Sequence, residues 1–389
     1  MSFKFNSILL IFEILLVLSA LYLHFTTPGA GSQKEDFTVD RLTLFSKRTG
    51  ACPSISPLLY DKAATKNEHM LCQLGYSSYC IRRSPVEEQE NFYVVCPIYS
   101  VNQYNNYRIY KLHTHFKHYC QSLGVKFIQL EYAFPYQDFI ITEAGKEPFD
   151  IQIPGRNIFY LRENLVNVAE KKMPQDYEYI SWIDAHVHFD NPYIFQESIV
   201  QLGKVNVVAP HWIVRNRDPQ NRTMHGKEYA FVYQAQYHND TPVYETYYNH
   251  YPFYGLAFVT TKEIFKKMNG LPDTCVAGIC DMFMSLALTD GDGKIPLTKA
   301  KKYDQSIIDW TKHAAKQIQG KYAYIKSTIT HLDHQFPFRT YSAWSRSLKL
   351  LEDRGFDPYV DLATDENGTL YFVDNFELAY DFWKLYSAL

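Results

Sequence analysis

The sequence lacks the features that mark a nucleic-acid-binding protein or a zinc module. It has no long run of lysine and arginine, and its formal net charge is only −3 at pH 7. We therefore expect no nucleic-acid partner. None of its seven cysteines stands in the paired spacing of a structural zinc site. Internal repeats and low-complexity tracts are also missing, so the body is expected to be globular.

The composition is that of a protein with a substantial core. The chain has 389 residues, of which 46% are hydrophobic. This length allows one large or two modest domains. The 32 tyrosines are unusual, and most of them are expected in the core and at its rim.

An apolar run near the N-terminus predicts a membrane segment. It extends from Ile8 to Phe25, and residues 1–30 are therefore assigned to a signal anchor that contacts the membrane through this helix. A signal peptide cleaved near Ala30 is the alternative. Lys4 before the run favours a cytoplasmic N-terminus. The expected location is the Golgi or ER membrane, with a single-pass type II topology and a lumenal catalytic body.

A polar, proline-containing segment, residues 31–90, follows and is interpreted as a stem with an irregular extension. Its three cysteines predict a disulfide staple with one thiol left for another partner. They are Cys52, Cys72 and Cys80. Three glycosylation triplets agree with a lumenal body, at Asn221, Asn239 and Asn367.

The body, residues 91–389, alternates strand and helix patterns. A buried strand at 91–100, a helix at 105–124 and a strand at 125–134 form a βαβ unit, which predicts a parallel sheet. Further predicted elements are a helix at 160–174, strands at 177–184, 205–210, 255–261 and 322–329, a helix at 260–270 and a C-terminal helical tail. We predict an α/β fold with a mostly parallel, Rossmann-like sheet flanked by helices. Ligands of such sheets gather beyond the carboxyl ends of the strands.

The stretch YISWIDAHVHFDNP places four metal-capable side chains just after one predicted strand. They are Asp184, His186, His188 and Asp190. One hypothesis treats the two histidines as zinc ligands of a barrel amidohydrolase. Only about 200 residues follow His188, fewer than the roughly 250 of such a barrel. The other hypothesis treats Asp-Ala-His as a variant of the Asp-x-Asp motif by which sugar transferases hold a metal and a nucleoside diphosphate.

A second polar turn late in the chain can complete such a site. THLDHQ supplies His331, Asp333 and His334 behind another strand-like run. The purely structural alternative is that Asp184 caps the next helix and the histidines are satisfied polar residues.

From about Asn91 to Leu389 the chain resembles a family of GT-A-fold, nucleotide-sugar-dependent glycosyltransferases, which includes proteins that glucosylate modified DNA bases. The resemblance lies in the order and spacing of four segments. These are LRENLVN, YISWIDAHVHFDNP, MNGLPDTCVAGICDMFMSLAL and ITHLDHQFPFRTYSAWSRSLKLLEDRGFDPYVDL. Base glucosylation does not carry over, because the predicted anchor and the charge balance indicate the secretory lumen.

The resemblance implies roles for individual residues. Asp184 takes the place of the first metal-motif aspartate, and His186 stands where the family has the second. Asp281 resembles an acidic residue that acts as general base on the acceptor, with a helix N-cap as the alternative. His331 and His334 resemble a late pair of which one meets the metal.

Further predictions concern the donor diphosphate and three other histidines. Arg108 and Arg162 are candidates for direct contact with the diphosphate. Asp184 would contact the diphosphate through the bound metal. Solvated helix faces explain the arginines, and Glu163 beside Arg162, nearly as well. Three other histidines are expected on a helix surface, namely His113, His115 and His118.

The function expected from these residues is transfer of a hexose from a nucleoside-diphosphate sugar, with a UDP-linked donor expected. Mn²⁺ or Mg²⁺ would assist, and the acceptor would be a glycan, protein or lipid. Inverting and retaining chemistry both stay open. The alternatives are a membrane-anchored, non-catalytic carbohydrate-binding pseudo-enzyme and the metal-dependent amidohydrolase.

Overall fold

The computed structural model describes ten stretches of the chain. They are residues 89–99, 107–134, 136–156, 159–217, 228–237, 255–278, 280–289, 300–332, 341–373 and 376–387. The predicted anchor, the proposed cysteine staple and residues 31–88 of the predicted stem lie outside them, whereas residues 89 and 90 of that stem already belong to the first strand. Within these stretches, no helix combines the length and the apolar character needed to cross a bilayer.

The described elements alternate between strands and helices through most of the chain. The first half contains β1 (Gln89–Tyr99), α1 (Tyr107–Ser122), β2 (Val125–Ala133), β3 (Asp150–Pro154), α2 (Arg162–Lys172), β4 (Tyr179–Ile183), β5 (Val187–Phe189), α3 (Ile194–Leu202), β6 (Val207–Ala209) and β7 (Ile213–Arg217). The second half contains β8 (Glu228–Tyr229), α4 (Phe231–Tyr237), β9 (Ala257–Thr261), α5 (Lys262–Lys267), α6 (Cys280–Thr289), α7 (Lys301–Ile318), β10 (Tyr322–Tyr324), β11 (Thr328–Leu332), α8 (Tyr341–Arg354), α9 (Pro358–Asp361), β12 (Leu362–Thr364), β13 (Leu370–Phe372) and α10 (Phe376–Ser387).

The main sheet has seven strands in the order β10-β6-β9-β4-β1-β2-β3. Strand β1 pairs in parallel with both β2 and β4, as the βαβ pattern predicts. Strand β9 is antiparallel to its neighbours β4 and β6. The sheet is therefore mostly parallel, and the prediction of a mixed α/β fold is confirmed.

Both faces of β1 are buried, which explains its continuous apolar run. Tyr93 and Val95 point into one core cluster, while Phe92 and Val94 point into the other. Helix α2 packs on the first face and α1 on the second. Strands covered on both faces by helices are expected to be apolar at every position.

The sheet is open, so the barrel expected for an amidohydrolase is wrong for this chain. The predicted single strand at 322–329 is also wrong, because it consists of two strands in different sheets. Strand β10 pairs with β6 in the main sheet, whereas β11 pairs with β5 and β7 in a four-stranded sheet of order β5-β11-β7-β8. The chain changes sheet at Ile325, whose amide donates to the carbonyl of Ala209, and at Ser327, whose carbonyl accepts from Trp212.

Two histidines of α1 are buried, contrary to the surface prediction. The ring of His113 is fully buried, its Nε2–H donates to the carbonyl of Cys96 at 3.0 Å, and it contacts Phe127 edge-on. Burial lowers the pKa of His113 to about 4, so it is neutral. His115 is 9% exposed, and only His118 faces solvent as expected. The buried face of α1 is therefore wider than its apolar residues alone predict.

Candidate active site

A charged cluster lies at the edge of the main sheet where its parallel strands end. Tyr99 is the last residue of β1, and Asp184 directly follows β4. Because β9 is antiparallel and pairs Ala257 with Ile183 at the end of β4, its start lies at the same edge. The amide of Asp184 donates to the carbonyl of Leu256 at 2.9 Å, which fixes the backbone of the predicted metal motif.

Arg162 and Asp184 form the central ion pair of this cluster. Arg162 is the first residue of α2, and its Nη2 lies 2.8 Å from Oδ1 of Asp184. The two side chains are 14% and 24% exposed, so the pair is only partly shielded from solvent. The preceding amide, of Leu161, donates to the hydroxyl of Tyr99, which holds the start of α2 at the end of β1. Asp184 does not cap the next helix, α3, because α3 begins after Tyr193.

Glu163 is a buried acid in the same cluster. Its Oε1 lies 3.4 Å from Nη1 of Arg162, and the residue is only 4% exposed. Burial raises the pKa of Glu163 to about 7, although the neighbouring Arg162 opposes the shift. The prediction of a solvated helix face is wrong for this residue.

Asp281 reaches the cluster from the first turn of α6. It packs so closely on Gly255 that a Cβ at Gly255 would stand 2.1 Å from Oδ2 of Asp281. Burial raises the pKa of Asp281, while Arg162 lowers it and Asp184 raises it further. Its Oδ1 accepts from the adjacent amide of Met282 at 3.1 Å, not from an amide two or three residues ahead as a capping side chain does.

The rings of His186 and His331 also lie in contact. Such proximity is needed if His331, from late in the chain, is to share a metal with the His186 turn. Their ring centroids lie 4.6 Å apart at an interplanar angle of 64°. His331 lies on β11 opposite Val187 of β5 and Asn216 of β7. Its Nδ1 bonds Oδ1 of Asn216 at 3.0 Å. Because an amide oxygen only accepts, Nδ1 of His331 donates the proton of this bond, which fixes the orientation of the ring.

The predicted metal set is not assembled among the described residues. Within them, no three histidine, cysteine or acidic side chains lie close enough together to hold an ion. His334 and the side chain of Arg108 fall outside what the structure describes. The donor types nevertheless suit a divalent cation, because carboxylate oxygens and imidazole nitrogens both bind such ions, and His186, which contacts His331, follows Asp184 by two residues in the sequence.

The two other polar residues of the stretch YISWIDAHVHFDNP have structural roles. His188 stacks on Tyr119 with ring centroids 4.8 Å apart. Asp190 accepts from the hydroxyl of Ser327 and the amide of Thr328. Sequence reasoning missed Gly255 and Asn216, and no local pattern around either residue signals its contact with the site.

No known sequence family and no curated protein matches this chain. Among solved structures, it is similar to the catalytic domain of Drosophila β1,4-galactosyltransferase 7 in complex with xylobiose, at 9% identity and a TM-score of 0.35 over 76% of this chain and 99% of that one. A mutant of the same enzyme, with manganese, UDP-Gal and xylobiose, matches at 11% identity and a TM-score of 0.27, over 51% of this chain and 60% of that chain. A glycosyltransferase involved in glycosylation of the major capsid of PBCV-1 matches at 10% identity and a TM-score of 0.27, over 67% of this chain and 98% of that one. These likenesses are weak, so a function has to be inferred from the side chains of the site.

Proposed function

We propose that this chain is a glycosyltransferase that moves a hexose from a nucleoside-diphosphate sugar, UDP-linked, to a glycan, protein or lipid acceptor. The observation that carries the proposal is the convergence of Arg162, Glu163, Asp184 and Asp281 at the carboxyl edge of the sheet. Such an edge is where open α/β folds bind nucleotides. A guanidinium among carboxyl groups offers both a contact for phosphate oxygens and a base for an acceptor hydroxyl.

In this proposal Asp281 is the general base. Its raised pKa makes its carboxylate a stronger base than an exposed aspartate. It would accept the proton of the acceptor hydroxyl, whose oxygen bonds to the anomeric carbon as the bond from that carbon to the phosphate oxygen breaks. The electron pair of that bond leaves with the diphosphate, and Arg162 stabilises the departing charge. Direct displacement of this kind inverts the anomeric configuration.

A divalent cation, Mn²⁺ or Mg²⁺, belongs to the proposal as the group that neutralises the diphosphate when bound. Asp184, His186 and one of His331 or His334 would hold it. The hydrogen bond that orients the His331 ring supports this assignment.

The test is hydrolysis of nucleotide sugars by the purified full chain, measured as release of nucleoside diphosphate from a panel of donors with and without Mn²⁺. We expect Arg162→Met to weaken donor binding, because its guanidinium is lost from the cluster. Arg354→Met is the matched control, since that exposed arginine also pairs with carboxylates, of Asp381 and Glu377, but on other helices. Equal loss in both variants would contradict the role of Arg162.

A second candidate, a non-catalytic carbohydrate-binding protein, is favoured by one observation. The carboxylate of Asp184 is already paired with Arg162, and His186 replaces an acidic ligand. A chain that binds saccharides but releases no nucleoside diphosphate from any donor would support this alternative.

The cellular location is also a proposal and rests on the apolar N-terminal run and the glycosylation triplets. Carbonate extraction of membranes would test the anchor. Glycosidase treatment of wild type and Asn367→Gln would test whether this half-buried turn residue is modified in the lumen.

A further inference from the structure

Four aromatic side chains, Trp212, Tyr229, Tyr233 and Tyr324, form a cluster that we call the aromatic corner. The rings of Tyr229 and Tyr233 stack with centroids 5.0 Å apart and an interplanar angle of 24°. Trp212 and Tyr324 stand nearly perpendicular to Tyr233, at 81° and 83°. The stacked pair of rings is therefore flanked by two rings that stand nearly perpendicular to it. Tyr229 is 41% exposed, so the corner is open to solvent.

Backbone bonds fix the aromatic corner in place. The amide of Trp212 donates to the carbonyl of Ser327, and the carbonyl of Trp212 accepts from Ala230. Tyr229 ends β8 and pairs with Ile213 of β7. A site held by strand register needs little reordering when a ligand binds.

The aromatic corner lies at the same edge of the sheet as the charged cluster. Tyr324 is the last residue of β10, where it pairs with Ala209 at the end of β6. Trp212 leaves that same end of β6, and β6 runs parallel to β4 because both are antiparallel to β9. Strands are spaced about 4.8 Å apart. Strand β6 is two positions from β4 and β10 is three, which places the corner on the order of 10–14 Å from Asp184.

The chemistry of the rings suits a saccharide. Pyranose rings have apolar C–H faces that pack on aromatic faces, and hydroxyl edges that hydrogen-bond to polar tips. Tyrosine and tryptophan supply both an apolar face and a polar group. The stacked tyrosine pair can cover one face of a puckered pyranose ring, and the two perpendicular aromatic rings can cover one of its edges.

We propose that the aromatic corner is a saccharide-binding subsite that holds the acceptor glycan while its terminal hydroxyl reaches Asp281. This inference rests on the proposed glycosyltransferase function, and it narrows the acceptor class to glycans. The spacing between the corner and the charged cluster requires an acceptor longer than one monosaccharide.

The test uses saturation-transfer NMR on the full chain, with irradiation of aromatic protons and a probe panel of lactose, cellobiose, maltose and mannobiose. We expect saturation transfer to at least one disaccharide. Tyr229→Ala and Tyr233→Ala should each weaken that binding about tenfold, because a stacking face is lost. Tyr229→Phe keeps the ring and should retain most of the affinity.

Tyr359→Ala is the matched control, since Tyr359 is a 66% exposed tyrosine on α9. It should bind the probe as the wild type does, and circular dichroism melts would confirm that the variants are folded. Absence of transfer to every disaccharide would overturn the inference, and so would unchanged binding by Tyr229→Ala and Tyr233→Ala. Donor hydrolysis by the wild type is measured separately, so that failure of the proposed enzymatic function is distinguished from failure of the subsite.

Discussion

Glu163 should make the stability of this protein depend on pH in a predictable direction. The residue is 4% exposed, and burial raises the pKa of its carboxyl group to about 7 from the ordinary 4.5. A difference of that size corresponds to about 3 kcal/mol in the free energy of unfolding. Glu163→Gln keeps the shape of the protonated acid and removes its titration, so it isolates this contribution.

The direction of this pH dependence follows from whether the folded or the unfolded protein holds the proton of Glu163. Below about pH 4.5 both the folded and the unfolded protein keep the proton, and Glu163 has no pH-dependent effect. Between 4.5 and 7 the unfolded chain loses it while the folded protein retains it, so the stability of the wild type falls as the pH rises. Above pH 7 the full destabilisation caused by the ionised, buried Glu163 is present. Relative to the wild type, Glu163→Gln should therefore gain about 3 kcal/mol between pH 4.5 and pH 8.

Urea unfolding followed by circular dichroism, repeated across this pH range for both proteins, measures the difference. Glu366→Gln is the control, because the side chain of Glu366 is 74% exposed and its replacement should change stability only slightly. A stability difference between Glu163→Gln and the wild type that stays constant from pH 4.5 to pH 8 would refute the buried, proton-retaining Glu163.

Three further predictions concern the charged cluster. Asp281→Asn should lower turnover about 10²- to 10⁴-fold while donor affinity in a binding titration stays near that of the wild type; a parallel loss of stability and affinity would indicate a structural role. His186→Asp should raise Mn²⁺ affinity measured by calorimetry, and His186→Ala should lower it; if both titrate like the wild type, His186 is not a ligand. Gly255→Ala should destabilise the fold by about 1–3 kcal/mol and reduce activity, because its Cβ would displace the carboxylate of Asp281; a normal melting temperature would contradict that contact.

Local sequence patterns were sufficient for much of the fold. The apolar run of β1, the helical spacing of α1 and the run of β2 predicted the βαβ unit, and the structure confirms it. The helix predicted at 260–270 is observed as α5, and the Thr261 side chain caps it by accepting from the amide of Ile264. These features depend on neighbouring residues, so they are visible in the sequence.

Features set by contacts between distant residues could not be predicted in this way. The run at 322–329 looks like one strand because periodicity does not reveal which partner each half pairs with. The burial of Glu163 depends on the position of α2 beside β1 and α6. Likewise, the sequence placed Asp184 at a strand end, but the order of strands in the sheet decided that Arg162 would be its partner.

The charge balance of the cluster links the proposed donor to the proposed metal. Arg162 is one positive charge beside Asp184 and Asp281, and Glu163 adds a further negative charge when the pH rises above about 7. A diphosphate would bring more negative charge to a site that already has an excess, and repulsion would oppose its binding. A divalent cation would reverse that balance, and the release of Asp184 from Arg162 would provide a ligand for the cation and a guanidinium for the phosphate together. If the proposed function holds, the Arg162–Asp184 pair would be the resting arrangement of the site, and donor and metal would strengthen each other's binding because each supplies the charge that the other lacks.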